Sequence, residues 1–123
     1  MHAEDIRLFS LSLPETEECF PFDEVTLVFK VAGKCFLFVG LDEQPLRFNA
    51  KAAPERVIAL REEFPDVVFP GFHMNKTHWN SIVSDGRMSR KWYIDRIMES
   101  YRQVLAGMPK KTREPILAKV DAL

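Results

Sequence analysis

Residues 25–51 read VTLVFKVAGKCFLFVGLDEQPLRFNAK, and this stretch decides the fold class. Its first part alternates apolar and polar residues, as a strand with one buried face does. After a tight turn at Gly33, which can adopt positive φ, the run KCFLFVGL is almost continuously apolar and predicts a strand buried on both faces. PLRFNAK alternates again. Three consecutive strands joined by short connections predict an antiparallel meander.

Helix patterns flank the meander on both sides. Upstream, residues 4–12 repeat apolar side chains at helical spacing, and Pro14 ends the pattern. The acidic segment PETEE that follows predicts a turn. Downstream, Pro54 fits the first position of a second helix, which ends at Phe64 and Pro65.

The second half of the chain predicts two more strands and a long helix. VVFPGF and HWNSIV have strand patterns, the former short because of Pro70. Ser89 caps a helix of about residues 89–107 that has a regular apolar stripe, and Gly107 and Pro109 end it. The order α-βββ-α-ββ-α predicts an α+β two-layer domain, in which a five-stranded antiparallel sheet carries helices on one face.

Length and composition fit one ordinary globular domain. The 123 residues are 46% hydrophobic and 28% charged, enough for a core without metal or disulfides. We expect a single domain over residues 1–123, with a core over about 4–108 and a short tail over 109–123 that could hold a terminal helix. No secretory signal is visible, and no apolar run is long enough to span a membrane. Cys19 and Cys35 do not have the spacing of a metal or redox motif. We therefore expect a cytoplasmic protein with reduced thiols, away from membranes.

The net charge of −1 hides an asymmetry along the chain. Residues 1–70 contain seven basic and thirteen acidic residues, whereas residues 71–113 contain nine basic and three acidic ones. Such a division can present a basic face to a polyanion. The charges can equally cancel if the two halves of the chain interleave in space.

The motifs of common catalytic and metal sites are missing from the sequence. The five glycines form neither a dinucleotide-binding nor a P-loop pattern, and neither a nucleophile elbow nor an HExxH motif is present. His73 and His78 are five residues apart and lack a third metal ligand nearby. Ser81, His78 and Asp85 could form a nucleophilic trio only if Ser81 and His78 shared a strand face, which their spacing prevents. We therefore expect no enzyme, no cofactor and no metal.

A basic and aromatic segment in the second half is the strongest candidate for a binding surface. Its Lys and Arg side chains could contact phosphates, with Asn and His as hydrogen-bonding partners. Helical counting places Trp92 opposite the apolar stripe, so it is either exposed for contact or covered by a neighbouring loop. Trp79, in a strand, is expected in the core. The predicted nucleic-acid-binding residues are Asn75, Lys76, His78, Arg87, Arg90, Lys91, Trp92 and Arg96.

Several segments resemble the MmcQ/YjbR-like family: FPFDEVTLVFKVAGKCFLFV, NAKAAPE, HMNKTHWNSI, and SY followed by MPKKTR. The likeness runs from about residue 6 to residue 113, and it includes Lys34, Lys51 and the Asp85-Gly86 turn. Together these segments are specific. The chain departs from the family where relatives tend to begin the last helix with acidic residues. Here MSRKWY places cations at the positive end of the helix dipole.

The resemblance implies a small α+β domain of double-wing arrangement, similar in fold to type III secretion chaperones. It also implies DNA binding, largely through phosphates and with little sequence preference. The alternative is a protein-interaction or chaperone-like adaptor acting through an apolar surface around Trp92. A small-molecule pocket near His73, Asn75 and His78 is a third alternative. The expected partners are therefore DNA or a protein, and the expected state is a monomer or weak homodimer.

Overall fold

The computed structural model describes residues 1–71 and 74–123. Within these ranges, no helix is long and apolar enough to cross a membrane. The elements follow in the order α1 (Ala3–Ser12), β1 (Thr16–Cys19), β2 (Thr26–Val31), β3 (Lys34–Gly40), β4 (Arg47–Lys51), α2 (Pro54–Glu63), β5 (Val68–Pro70), β6 (Trp79–Val83), α3 (Arg90–Ala106) and α4 (Lys110–Asp121).

The strands form one antiparallel sheet in the order β1-β2-β3-β4-β6-β5. The predicted meander is confirmed as β2, β3 and β4. The expectation of five strands is wrong, because Thr16–Cys19 pairs along β2 as a sixth. The sequence of this strand, TEEC, has no apolar alternation and leaves Glu17 and Glu18 exposed. Acidic side chains on an edge strand discourage pairing with a further strand, and they also conceal the strand from pattern analysis.

The helices cover one face of the sheet, as predicted. Phe48 of β4 packs edge-on against Tyr93 of α3, with ring centroids 6.2 Å apart. Phe36 of β3 contacts Tyr101 in the same manner at 5.3 Å. Ile6 of α1 belongs to the same buried cluster. The apolar core therefore lies between the sheet and the helices, and the opposite face of the sheet carries none of the four.

Helix α3 is tied to the sheet by hydrogen bonds as well as by packing. Ser89 caps it, because its hydroxyl accepts the Trp92 N–H at 3.1 Å, which confirms the predicted start of the helix. Further along, the buried Ser100 hydroxyl accepts the N–H of Lys51 at 2.7 Å and donates to the carbonyl of Phe36. One side chain of α3 thus fixes the positions of β3 and β4.

The C-terminal segment is packed onto the domain through α4. This helix begins at Lys110, earlier than the PILAKVDAL segment in which the sequence suggests a helix. Its Ile116 and Val120 are buried in the common core. Lys119 Nζ lies 2.7 Å from Glu15 Oε1, which joins α4 to the turn before β1.

The β2–β3 hairpin turns through two residues with positive φ. Gly33 has φ of 84° and Ala32 has φ of 47°. The glycine is the residue predicted there, whereas Ala32 has a Cβ that disfavours this conformation. The Ala32 N–H donates to the carbonyl of Glu15 at 3.0 Å. This contact with the residue before β1 helps to hold the turn in place.

Candidate nucleic-acid interface on the helix-free sheet face

The sheet face opposite the helices, the helix-free face, carries a row of aligned side chains from neighbouring strands. Because Phe48 and Ala50 face the helices, the alternating residues Asn49 and Lys51 face away from them. Lys51 in turn is paired with Trp79. The strand register aligns Val28, Phe38, Asn49 and Ser81 across β2, β3, β4 and β6.

An aromatic row, consisting of Phe22, Phe38 and Trp79, runs over this face. The rings of Phe22 and Phe38 are nearly parallel, with centroids 6.4 Å apart and planes at 18°. Trp79 meets Phe38 edge-on at 5.3 Å. Phe22 is 69% exposed, and Phe38 and Trp79 are half-buried. Solvent-accessible rings on an open sheet are unusual for residues of this size, and they offer flat apolar surfaces to a ligand.

The expectation that Trp79 lies in the core is wrong. Its strand alternates as predicted, but the helix side is occupied by Asn80 and Ile82. The Asn80 amide donates to the carbonyl of Val57 at 3.2 Å, and its oxygen accepts from Arg61 Nε at 2.7 Å. A polar residue thus takes the inner position, and the tryptophan points outwards onto the helix-free face.

Unpaired cations lie at one end of the aromatic row. Lys51 is next to Trp79 in the register, and Lys76 is exposed in the loop before β6. Within residues 1–71 and 74–123, neither ammonium has a carboxylate within 4.0 Å. Lys30 also faces this side, but Glu17 is its cross-strand neighbour. Lys51 and Lys76 are therefore the cations most available to an anionic ligand.

The loop that presents Lys76 is held in place by its own hydrogen bonds. The Asn75 side chain accepts the N–H of Thr77 at 2.9 Å, and the carbonyl of Asn75 accepts the N–H groups of His78 and Trp79. Arg61 of α2 donates to the carbonyl of Lys76. The Lys76 side chain is consequently displayed from a fixed backbone.

The residues predicted from sequence fall into two groups at opposite ends of β6. Asn75, Lys76 and His78 precede this strand, while the others follow it on the loop to α3 and on α3 itself. The two ends of a five-residue strand are about 13 Å apart. The structure therefore brings the first group to the aromatic row and keeps the second group apart from it.

The cations of the second group form ion pairs within the chain. The carboxylates come from the neighbouring loop, from α1 and from α3 itself. The pairs are Arg87 with Asp85 at 2.8 Å, Arg90 with Asp5 at 3.8 Å, Lys91 with Asp95 at 2.9 Å, and Arg96 with Glu99 at 3.3 Å. A paired cation presents a weaker positive field to a phosphate than an unpaired one does. Their assignment to nucleic acid stays a prediction.

Trp92 is half-buried and packs against the core. Its ring packs edge-on against Phe64 at 5.1 Å and against Tyr93 at 5.4 Å. The guanidinium of Arg96 lies 5.1 Å from the Trp92 ring centroid, and burial lowers the pKa of Arg96. Trp92 Nε1 is buried without a hydrogen-bond partner among the described residues. The ring therefore belongs to the packing between α2 and α3.

A cavity of about 460 Å³ lies on the helix-free face beside Phe38. Phe22, Phe38 and Met74 contribute apolar walls, and Gly40 leaves room at one side. Among the described residues that line it, the ionisable ones are all acidic. They are Asp23, Asp42 and Glu43.

Two polar side chains in this cavity are available to accept hydrogen bonds from a ligand. Asn49 Oδ1 is buried and has no hydrogen-bond donor among the described residues. Burial raises the pKa of Glu43, and the field of Arg47 offsets only part of that effect. Asp23 differs, because its carboxylate accepts the N–H groups of Val25 and Thr26, which lowers its pKa. Among the described residues, the cavity thus contains one buried acceptor without a donor and one partly buried carboxylate.

The described residues offer little support for metal or thiol chemistry. Within residues 1–71 and 74–123, no three His, Cys, Asp or Glu side chains are grouped so that they could hold a metal ion. His73, considered above as a ligand and as part of a small-molecule pocket, lies outside the described residues. Burial raises the pKa of the Cys35 thiol, which keeps it protonated and weakly nucleophilic.

The family of the chain follows from comparison with known proteins. The sequence model of the YjbR family matches residues 11–103. The chain belongs to the YjbR family. It is 30% identical over 113 residues to the uncharacterised protein YbdF of Escherichia coli O157:H7, a match that spans 92% of each chain. It is 25% identical over 114 residues to the uncharacterised protein YjbR of Escherichia coli K12.

Solved structures show the same YjbR architecture. The crystal structure of Deinococcus radiodurans protein DR2400 superposes with a TM-score of 0.85 at 34% identity, covering 92% of this chain and 86% of that one. A Pseudomonas syringae protein superposes with a TM-score of 0.71 at 20% identity, covering 84% and 98%. The second likeness concerns the fold alone. The activity has to be inferred from the site.

Sequence reasoning missed most of the residues on the helix-free face. The sequence patterns place Phe22 before a strand and Phe38 in a buried strand, and they indicate no role for Asn49 or Glu43. A signal was present in PLRFNAK, whose alternation puts Asn49 and Lys51 on one side. It could not be used without knowing which side the helices cover.

Proposed function

We propose that this YjbR-family protein binds a single strand of nucleic acid across the helix-free face. The observation that carries the proposal is the aromatic row of Phe22, Phe38 and Trp79 beside the unpaired Lys51 and Lys76. The predicted residues Asn75, Lys76 and His78 lie at the edge of this surface. The proposal favours a binding role over catalysis.

The chemistry of the face suits a single strand better than a duplex. Bases of a single strand can stack on aromatic side chains, whereas a duplex buries its base faces between neighbouring pairs. Each stacked base is worth about 1–3 kcal/mol. Phe22 and Trp79 lie on either side of Phe38, so successive bases could meet successive rings.

The phosphates of the strand would be held by Lys51 and Lys76. Each phosphate neutralised on a single strand changes the slope of log affinity against log salt by about −0.7. Two such contacts predict a slope of about −1.4. This is a shallow dependence compared with that of strongly basic proteins, and it agrees with a net charge of −1.

Stacking can be tested by replacing the rings with aliphatic side chains of similar size. We expect Phe38→Leu and Trp79→Leu each to weaken binding of a fluorescently labelled 12-nucleotide single strand at least fivefold by anisotropy. Trp92→Phe is the matched control, because its ring is covered by α2 and should not contact the strand. DNA and RNA strands of one sequence, and the DNA duplex, are titrated in parallel.

The outcomes distinguish the helix-free face from the surface around Trp92, and single strands from the duplex. Single strands that bind more tightly than the duplex, with losses confined to Phe38 and Trp79, support the proposal. Equal losses in Trp92→Phe, or tighter binding to the duplex, contradict it. Circular dichroism of each variant shows whether a loss follows from unfolding.

A second candidate function, protein docking, is favoured by exposed apolar side chains near β1. Leu8 is 59% exposed and Phe20 is 50% exposed, and both lie beside an edge strand. Exposed apolar residues next to a strand edge are typical of protein interfaces. Light scattering at increasing concentration tests self-association. A dimer that is lost in Phe20→Ser supports docking by self-association. A wild-type protein that is monomeric at all concentrations excludes self-association.

A further inference from the structure

We propose that the cavity beside Phe38 is a pocket for one nucleobase whose edge carries adjacent N–H donors, with guanine as the best fit. The inference rests on the proposed function and specifies where the strand is read. The remaining contacts, through stacking and phosphates, would tolerate any sequence.

The shape of the pocket favours a flat ligand. Phe22 and Phe38 lie within 18° of parallel, and their centroids are 6.4 Å apart. Stacked rings with centroids about 4.5–7 Å apart are in contact, so the pair offers the cavity a flat apolar wall on which a planar ring can stack. An aliphatic amine would gain little from such a pair of rings.

The polar lining favours a ligand rich in donors. Glu43 is a carboxylate with a partly buried charge, and Asn49 Oδ1 is buried without a donor among the described residues. No Lys or Arg is among the residues that line the cavity. A ligand that presents acceptors would leave these oxygens unsatisfied, which is costly inside a pocket. A ligand with several N–H groups would satisfy them.

Guanine matches this lining best among the four bases. Its Watson–Crick edge has neighbouring N1–H and N2–H donors, and a carboxylate can accept both at once. Adenine and cytosine offer one amino group, and thymine offers a single imino N–H. The strand leaving the pocket would pass Trp79 towards Lys51 and Lys76, where its phosphates meet positive charge.

Gly40 is part of the arrangement that places the Glu43 carboxylate. A Cβ added at Gly40 would lie 2.5 Å from Glu43 Oε2, well inside contact distance. The glycine therefore leaves the space that the carboxylate occupies. Its own φ lies outside the left-handed region, so an alanine there strains no backbone and displaces only the Glu43 side chain.

The test uses thymine 12-mers with one central base varied among guanine, adenine, cytosine, inosine and thymine. Wild type is expected to bind the guanine strand about tenfold more tightly than the thymine strand, the low end of what a bidentate base contact gives. Inosine lacks the N2 amino group and is expected to lose most of that preference. Glu43→Gln and Gly40→Ala should reduce the guanine preference while retaining binding of the thymine strand. Glu62→Gln, an exposed carboxylate on α2, is the matched control.

The pH dependence supplies a second readout. The ionised Glu43 accepts hydrogen bonds, so the guanine preference should fall as pH is lowered towards the raised pKa of this residue. The preference of Glu43→Gln should not change over the same range. The charged residues around Glu43 are Arg47, Asp42 and Asp23. Asp42→Asn, with Asp23 unchanged, is the control: its guanine preference should still fall at low pH, because Glu43 is present.

Failure of this inference differs from failure of the proposed function. Equal affinity of wild type for all five strands overturns the pocket and leaves single-strand binding intact. A guanine preference that survives in Glu43→Gln and Gly40→Ala also overturns it. Absence of binding to every strand overturns both proposals.

Discussion

Ser100 shows how a single hydroxyl can hold three elements together. It lies on α3, accepts the N–H of Lys51 in β4 and donates to the carbonyl of Phe36 in β3. Removing the hydroxyl leaves two buried backbone groups without partners. We expect Ser100→Ala to lower the free energy of unfolding by about 1–3 kcal/mol, measured by urea denaturation.

A matched control for Ser100 exists at the end of α1. The exposed Ser12 hydroxyl donates to the carbonyl of Phe9, and water can replace that bond. Ser12→Ala should therefore change stability by less than about 0.5 kcal/mol. If Ser100→Ala is as mild as Ser12→Ala, the hydroxyl does not have the bridging role described here.

Tyr101 makes stability depend on alkaline pH. Burial raises its pKa from 10.0 to about 12, and its hydroxyl donates to the carbonyl of Pro14 at 2.6 Å. Between these pH values the unfolded chain loses the phenolic proton while the folded chain keeps it. Stability conferred by the neutral phenol is therefore complete below pH 10 and decreases as pH rises towards 12.

Tyr101→Phe should remove that part of the alkaline dependence. At neutral pH the variant should lose about 1 kcal/mol with the hydrogen bond. Between pH 10 and 12 its melting temperature should fall less steeply than that of the wild type. Parallel melting curves for the two proteins would contradict the assignment. The two proteins differ only at residue 101, so the difference between their melting curves isolates Tyr101.

The two tryptophans show what sequence could predict at the residue scale. Alternation correctly assigned Trp79 to a strand, and helical counting correctly placed Trp92 off the apolar stripe. The inward side of β6 is set by the hydrogen bond from Asn80 to α2. The packing of Trp92 is set by its contact with Phe64. Both contacts join segments distant in sequence, and a local pattern does not contain them.

At the scale of elements, α4 is expected to be a structural part of the domain. Its Ile116 and Val120 are buried, and each such side chain contributes about 1.5–3 kcal/mol. Truncation after Met108 should therefore lower the free energy of unfolding by about 3–6 kcal/mol, measured by urea denaturation.

Deletion of residues 122–123 alone is the control for this truncation, since both are exposed. It should leave the urea midpoint nearly unchanged. An unchanged midpoint after the longer truncation would show that α4 contributes nothing to the domain.

The elements differ in how much of each could be predicted. β2, β3 and β4 have strong apolar alternation, and α3 has a clear cap and stripe, so their existence was predicted well. β1 was missed because its stability comes from pairing with β2, and two of its four side chains are acidic and exposed. An edge strand of this kind is specified by its neighbour, so its own residues give little signal.

For the whole molecule, the charge asymmetry of the sequence is partly cancelled in space. Arg90 pairs with Asp5 and Lys119 with Glu15, which joins basic segments of the second half to the acidic first half. Composition along the chain could not predict this, because the pairs depend on the topology. Among the cations that form no ion pair within the described residues, Lys51 and Lys76 lie at the end of the aromatic row.

The central claim, that the helix-free face binds the strand, is tested most directly by a pair of double variants. Lys51→Ala with Lys76→Ala removes two unpaired cations at the end of the aromatic row, whereas Arg90→Ala with Lys91→Ala removes two paired ones. Each protein is titrated with a labelled single strand at several salt concentrations. The first variant should bind more weakly and reduce the slope of log affinity against log salt by about 1.4, while the second should match wild type. The opposite result, with the loss confined to Arg90 and Lys91, would place the binding surface on α3 and contradict the claim.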